Sequence, residues 1–472
     1  MPPEASTTRR WPSSTSSHEA DDRRPATPPG AGDDGAAPLT MNRNAEAALL
    51  IAASTVAAMG VALVNFTVGD GLDAQVALTF LVFLAAFGGV HLSMRRWAPT
   101  ANPYLLPLAG FLAAIGFTEL YRLRPDLAGL QRWSFLVAGS GASLVLYSLR
   151  DEGVAVLRRY RYIFLTAAVV LLLLPLLPET WPLRGAEVNG SRLWVRLQLP
   201  FGSGQTLSFQ PGEVAKILLT VFLASYLAER QESLATMRRS FGRFQVPEPR
   251  QLGPIIVAAA ASFAVLVYQR DLGASLLLFA LFVGLLYVAT GRTAYLAAGA
   301  GLIAVGGFLA YNLFDHVQRR IFAWLHPFDD YLDQGYQIAQ SLFALGSGSL
   351  TGSGLGLGRP DLIPEAATDF MFAAIAEEMG LAGSIAVIVA FALFVAAGFG
   401  IALRARDLFR KFLAAGLTIV FAVQAFLIIA GVVRLLPVTG ITLPFMSYGG
   451  SSLLGNMILV VLLARISHGE RG

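Results

Sequence analysis

The chain contains no cysteine. That excludes a disulfide scaffold, a thiolate nucleophile and any Cys-ligated zinc or cluster. Histidine is scarce: His18, His91, His316, His326 and His468 lie far apart, so no His-based metal site is expected. Lysine is scarcer, with Lys216 and Lys411 the only two. Charge as a whole is thin, at 14% of 472 residues against 55% hydrophobic, and the mean hydropathy is +0.59. A soluble domain usually carries about 25% charged residues, so an array of small soluble domains is excluded and a polytopic membrane protein is predicted. The net charge of +4 comes almost wholly from arginine. In such a chain it reports topology and contact with membrane lipids, and gives no sign of nucleic acid.

Residues 1–42 are a Pro/Ser/Thr/Asp/Arg mixture with almost no large apolar side chains, which reads as a disordered tail. The first apolar run begins only near Ala47, so the tail is no conventional signal peptide. Twelve apolar segments follow, near 47–66, 74–94, 104–120, 133–149, 162–178, 213–229, 252–268, 271–290, 293–314, 370–402, 412–433 and 447–464. A span needs about 20 residues. The expectation is an all-α polytopic protein of about twelve transmembrane helices, the tenth long enough to tilt or project beyond the bilayer. Arginines set the orientation. With both termini inside, the inner loops and C-terminus hold eighteen Lys/Arg against eleven in the outer loops. Those eleven are still many for loops with no topological need of them, a first hint of an outward-facing anionic ligand. The three substantial outer loops, 179–212, 315–369 and 434–446, are where chemistry is expected.

Loop 315–369 is the richest. It holds Arg319-Arg320, Gly335-Tyr336-Gln337, a glycine tract from Gly346 to Gly358, and Thr368-Asp369-Phe370 where the next helix starts. From Gly352 the tract reads G-x-G-x-G-x-G, which is neither a dinucleotide fingerprint nor a P-loop. It is either a flexible loop or backbone able to approach a bulky substrate closely. Asp369 stands at a helix N-terminus at the bilayer edge. It is either an N-cap or a general base whose proton affinity is raised by partial desolvation. Glu377 and Glu378 lie inside an apolar helix, where ionisable groups need a partner or a role. Asp369, Ala373 and Glu377 are spaced by four, so the two carboxylates are expected on one face.

In loop 179–212, Asn189-Gly190-Ser191 reads as a hairpin turn or a glycosylation sequon, and Arg192 beside Trp194 could bind a phosphate over an aromatic surface. Phe209-Gln210-Pro211-Gly212-Glu213 opens a helix, with Lys216 at i,i+3 from Glu213 and expected to pair with it. Asp271, after Gln269-Arg270, reads as a cap or an arginine partner. Leu436 to Ser452, including Ser447, runs from an outer loop into the last helix with hydroxyls and small residues suited to tight packing or a polar cavity.

These stretches, taken in order, resemble the SEDS family of bacterial peptidoglycan glycosyltransferases (RodA, FtsW and their sporulation relative). The matching residues are Asn189 to Trp194, Phe209 to Glu213 with Lys216, Gln269 to Gly273, Gly335 to Gln337 with Gln340-Ser341, Thr368 to Phe370 with Glu377 to Gly380, and Leu436 to Ser451. They span about residues 105–466. Gly212 stands where the family usually has Ser, Arg270 where it often has Pro, and Ala367 where it often has His; none of these changes removes a charged motif residue.

The resemblance implies a ten-helix core over 99–472 preceded by two additional helices over 43–98. It also implies the polymerisation of lipid II on the outer face of the cytoplasmic membrane, with undecaprenyl diphosphate leaving and the anomeric configuration inverted. By the same resemblance Asp369 is the essential carboxylate, and Glu213 and Lys216 organise the cavity. Asn189, Arg192, Trp194, Gln210, Arg320, Gln337, Glu377 and Ser447 are candidate contacts to substrate, with Arg192 and Arg320 chosen for the diphosphate. A class B penicillin-binding protein, a transpeptidase, is the implied partner. No particular cofactor is implied; a divalent cation, Mg or Mn, could share the charge stabilisation, but no ligand set is legible. Two competing readings are a flippase or transporter of the same precursor and a noncatalytic scaffold for the transpeptidase.

Overall fold

In hydrocarbon every backbone N–H and C=O must find its partner within the chain, so long apolar runs fold as helices. The computed structural model describes residues 42–468 other than 70, 179, 189–190, 199–205, 237–238, 242–243, 247–252, 254–255, 258, 261, 265–266, 268 and 334. The expected tail, 1–42, lies outside these residues but for Asn42.

Four helices open the fold: α1 (Arg43–Val68), α2 (Ala74–Trp97), α3 (Leu105–Leu123) and α4 (Pro125–Ser148). Asn42 caps α1 by accepting from the Ala45 N–H at 2.8 Å, and Gly69, at φ 95°, ends it. After a short α5 (Ala155–Arg159) come α6 (Arg161–Leu173), a 3-10 turn (Leu174–Leu176) and α7 (Gly212–Thr236). The remaining helices are α8 (Leu272–Thr290), α9 (Thr293–Leu313), α10 (Asp315–Leu325), α11 (Tyr336–Gly348), α12 (Met371–Arg404), α13 (Leu408–Val432) and α14 (Gly450–His468).

Among the described residues eight helices are long and apolar enough to cross a membrane: α1, α2, α3, α8, α9, α12, α13 and α14. Of the other four expected segments, 133–149 lies in α4, 162–178 in α6 and the turn after it, and 213–229 in α7. The segment at 252–268 falls about half outside the described residues.

The first four helices pack on one another, with α14 against α4 and α12 against α3. Phe83, Phe87, Phe117 and Phe135 fill their centre, Phe83 and Phe135 with ring centroids 4.7 Å apart. A second group forms where α13 packs against α7, α8 and α12.

Three features depart from the simple helical expectation. Loop 179–212 folds as an antiparallel sheet of β1 (Leu183–Val188), β2 (Ser191–Gln198) and β3 (Thr206–Phe209) in that order. Its register places Arg184 opposite Arg196 and Arg196 opposite Ser208. The Val188–Ser191 pairing makes β1–β2 a hairpin, as expected for Asn189-Gly190, although those two residues lie outside the described ones. Loop 315–369 is built rather than loose, since it carries α10 and α11. Finally, the length of α12 has a local cause: Gly380, at φ 65° and ψ −166°, interrupts it ahead of the apolar stretch 381–404.

The glycine tract fills that interruption. The Ser353 and Gly354 amides donate to the carbonyls of Glu377 and Glu378 at 2.9 and 3.0 Å, while the Leu381 and Ala382 amides donate back to Ser349 and Leu350. Gly352 has φ +83°, and a Cβ there would fall 2.2 Å from the Glu378 carbonyl oxygen. The backbone approach that glycine permits is therefore to the protein's own helix, which corrects the substrate-approach reading.

Candidate active site

The C-terminal ends of α6 and α13 and the N-terminal ends of α7, α8, α12 and α14 meet at one end of the fold around a cavity of about 400 Å³. The sheet and the 439–448 loop complete its wall. Loops 179–212, 315–369 and 434–446, expected to lie on one side, all contribute to it.

Glu213 enters in the first turn of α7, and Lys216 follows it one turn later. The Lys216 ammonium donates to Glu213 Oε2 and to Gln424 Oε1, both at 2.6 Å, and the Gln424 amide donates to the Thr442 carbonyl at 2.8 Å. Glu213 and Lys216 are buried. Gln424 is the unforeseen member, though a lone amide in an apolar helix is a readable signal.

Asp369 is set by a tight turn. The amides of Thr368, Asp369 and Phe370 all donate to the Glu365 carbonyl, at 3.1, 3.1 and 3.3 Å. Glu365 itself has φ +57°, a left-handed conformation rare outside glycine. The neighbouring loop holds this turn from behind: Ser447 donates to the Thr368 carbonyl, and the Tyr448 amide to the Ala367 carbonyl at 2.9 Å. The cap of α12 is Phe370, with no side-chain cap bond, so the Asp369 carboxylate is not a cap. It faces the cavity. Burial chiefly, with Glu365 and Asp271 adding like charge, raises its pKa to about 7 against the opposing pull of Arg320.

Arg320, from α10, donates to the carbonyls of Val438 and Thr439 at 3.3 and 3.2 Å. Gly440, at φ +76°, keeps the gap between Arg320 and Asp369 open, since a Cβ there would lie 3.7 Å from one and 3.8 Å from the other. Asp271 does cap α8, accepting from the Ala274 amide at 2.8 Å. It also lines the cavity, and burial raises its pKa to about 6. Arg270 before it is held at φ 59°, a second strained position beside the site.

Of the expected site residues, Asp369, Glu213, Lys216, Trp194, Gln210 and Arg320 line the cavity. Others do not. Arg192 sits at the hairpin end and pairs with Glu187 at 3.4 Å. Gln337 is exposed on α11 away from the cavity. Ser447 supports the Asp369 turn from outside the lining, and Asn189 lies outside the described residues.

Glu377 is also elsewhere. Its carboxylate accepts from the Arg359 amide at 2.8 Å beneath the glycine tract. The shared face expected for Asp369 and Glu377 fails because Asp369 precedes the helix. Arg196, on β2, was not among the expected contacts yet lines the cavity. Its two-residue offset from Trp194 on a strand, which puts both side chains on one face, is the signal that marks it.

Among the described residues no three His, Asp or Glu side chains gather as a metal-binding group. Asp271, Glu365 and Asp369 act on one another electrostatically, but Arg320 supplies the countercharge.

The profile of the FtsW, RodA and SpoVE cell cycle proteins matches residues 111–472. The peptidoglycan glycosyltransferase RodA of Mycobacterium bovis is 39% identical over 444 residues, covering 92% of each chain. Stage V sporulation protein E of Bacillus subtilis is 34% identical over 339 residues, 71% of this chain and 86% of its own. Among solved structures, a chain from a peptidoglycan synthase complex that coordinates polymerization and crosslinking superposes with TM-score 0.61 at 25% identity, covering 78% of this chain and 98% of that one. The Rod shape determining protein RodA of Thermus thermophilus shares the fold, with TM-score 0.52 and 24% identity over 79% and 98% of the two chains. On the match over 111–472 and the identity to RodA along nearly its whole length, this chain belongs to the FtsW, RodA and SpoVE family.

Proposed function

We propose that the protein is a RodA-type peptidoglycan glycosyltransferase that polymerises lipid II, with Asp369 as general base. The observation that carries this reading is the cavity: a half-buried carboxyl with its pKa raised to about 7, facing open space beside a fixed arginine. A base serves best when its pKa lies near the working pH. The names of the relatives, peptidoglycan glycosyltransferases along nearly the full chain, support the same class.

In the reaction, Asp369 takes the proton of the 4-hydroxyl on the acceptor's GlcNAc as that oxygen forms a bond to C1 of the donor's MurNAc. The bond from C1 to the diphosphate oxygen breaks on the opposite face. Undecaprenyl diphosphate leaves with the electron pair, and the configuration inverts from α to β. Arg320 supplies positive charge where the departing diphosphate gains negative charge. The Glu213–Lys216–Gln424 chain keeps the cavity floor polar and in register.

The arginine distribution supports an outward-facing cavity in the cytoplasmic membrane with both termini cytoplasmic. The likeness to a chain from a synthase complex that couples polymerization to crosslinking supports a class B penicillin-binding protein as partner.

The deciding experiment compares wild type with Asp369→Asn on purified lipid II, with the candidate transpeptidase added. A glycan ladder from wild type and none from the variant is expected. A ladder that survives the substitution overturns Asp369 as base. Absence of product from folded wild type with its partner returns the flippase and scaffold readings.

A further inference from the structure

The sheet over the cavity carries a charge arrangement that its own stability does not explain. Arg184 on β1 and Arg196 on β2 are direct cross-strand partners, so their side chains leave the same face of the sheet about 5 Å apart at Cβ. Like charges directly opposed are destabilising. Both residues are half-buried, where solvent screens less than at an open surface. Among the described residues neither guanidinium has a hydrogen-bond or ion-pair partner. Glu187, the one acid in the three strands, is engaged by Arg192 at 3.4 Å. On the other side of Arg196, in register, stands Ser208, and both Arg196 and Ser208 line the cavity that holds Asp369 and Arg320.

We propose that Arg184, Arg196 and Ser208 form an anion-binding row that holds a phosphate of the lipid-linked diphosphate substrate. The inference rests on the glycosyltransferase reading, and adds to it a substrate subsite on the sheet, separate from Arg320 on α10. Two guanidinium groups leaving one face of the sheet side by side suit the planar, bidentate recognition of phosphate, and the serine hydroxyl adds a neutral donor. An anion seated between the arginines turns the repulsion of the pair into attraction. In the free protein the row is therefore a cost to the sheet, and in the complex a contact.

The test uses the full chain in nanodiscs of zwitterionic lipid. Thermal unfolding is followed with and without inorganic pyrophosphate, for wild type, Arg184→Gln, Arg196→Gln and Arg196→Lys. Pyrophosphate is expected to raise the wild-type Tm. Either Gln variant should start from a slightly higher Tm than wild type and lose the pyrophosphate response, while Arg196→Lys keeps part of it. With lipid II as substrate, the Gln variants should raise KM about tenfold, the loss of one charge-assisted contact, with kcat changed less. A second set of nanodiscs containing phosphatidylglycerol separates the sources of phosphate. Stabilisation by that lipid, with no response to pyrophosphate in zwitterionic discs, makes the row a headgroup site and overturns the proposal. An undiminished pyrophosphate response and an unchanged KM in both Gln variants overturn it as well, and leave polymerisation by wild type standing. Conversely, a wild type that makes no glycan but loses its pyrophosphate response on Arg196→Gln sinks the functional reading and keeps the anion row.

Discussion

Asp369 and Asp271 at the cavity, and Glu119, Glu377 and Glu378 beneath the glycine tract, are all carboxylates in a protein with little charge, yet they are held in opposite ways. The first pair faces open volume with Arg320 across a gap that Gly440 keeps clear. The second group is sealed. Glu377 and Glu378 accept from the amides of Arg359 and Gly356, both at 2.8 Å, and Arg122 lies 3.4 Å from Glu378. Glu119 is 1% exposed, with neither oxygen hydrogen-bonded among the described residues. Buried acids alone therefore do not mark an active site here. Both groups have an arginine nearby; space in front of the carboxylate distinguishes the candidate catalytic group from the sealed one.

Changes at four places probe that contrast. The largest effect belongs to Asp369→Asn, which should cost polymerisation at least a hundredfold, the range for losing a general base. The wild-type rate should climb between about pH 6 and 8 as this carboxyl ionises, and the variant's residual rate should be flat. Stability moves the other way. A pKa raised above 3.8 means that the folded chain keeps a proton the unfolded chain has lost. Its stability thus falls as pH rises from about 4 towards about 7. Asp369→Asn should remove that fall and melt higher at pH 8. A Tm no higher than wild type there would put the burial of this charge in question.

Gly352→Ala tests the sealed side. The new Cβ meets the Glu378 carbonyl at 2.2 Å in a left-handed conformation, and about 3 kcal/mol of stability should be lost. The readout is Tm in detergent, with kcat per folded molecule retained. A lost kcat at unchanged Tm would give the tract a role in turnover.

At the cavity floor, Lys216→Glu or Glu213→Lys should each cost about 3 kcal/mol by leaving a buried charge unpaired. The double exchange should recover much of the polymerisation rate, because the Gln424 amide can turn its donor to a carboxylate at 216. Equal loss in all three would mean that the pair matters for more than its mutual charge.

The smallest effect is expected from Glu377→Gln. Its carbonyl can still accept from the Arg359 amide, so the polymerisation rate should stay within about threefold of wild type. A fall comparable to that of Asp369→Asn would erase the distinction between the two groups.

What could be read from the sequence was what is local. Glu213 and Lys216 pair because i,i+3 on a helix brings side chains together whatever the tertiary fold. Asp369 could be singled out because a carboxylate beginning an apolar run is conspicuous by itself. The failures required knowledge of non-local register. Glu377 lies eight residues after Asp369, and the shared face inferred from that spacing supposed a helix that begins only at Met371. Arg196 reads as loop in a segment whose strands are short and interrupted, and only strand pairing puts it beside Arg184 and Ser208. The glycine tract displayed its conformational freedom but not its use, which depends on the break at Gly380 far along the chain.

Arg320 has one more consequence. Its guanidinium is tied to the Val438 and Thr439 carbonyls. Its helix is in turn tied to the end of α13, where Arg434 donates to the Trp324 and Leu325 carbonyls at 2.8 Å and the Trp324 indole donates back at 3.1 Å. Water answering a new charge must first rotate its dipoles, and that reorientation is a large part of the barrier to ionic chemistry in solution. An arginine anchored at both its head and its backbone has already completed that work during folding. The field it casts on the cavity is the same before the proton moves as after, so in the proposed reaction its contribution to the rate carries no reorganisation energy of its own.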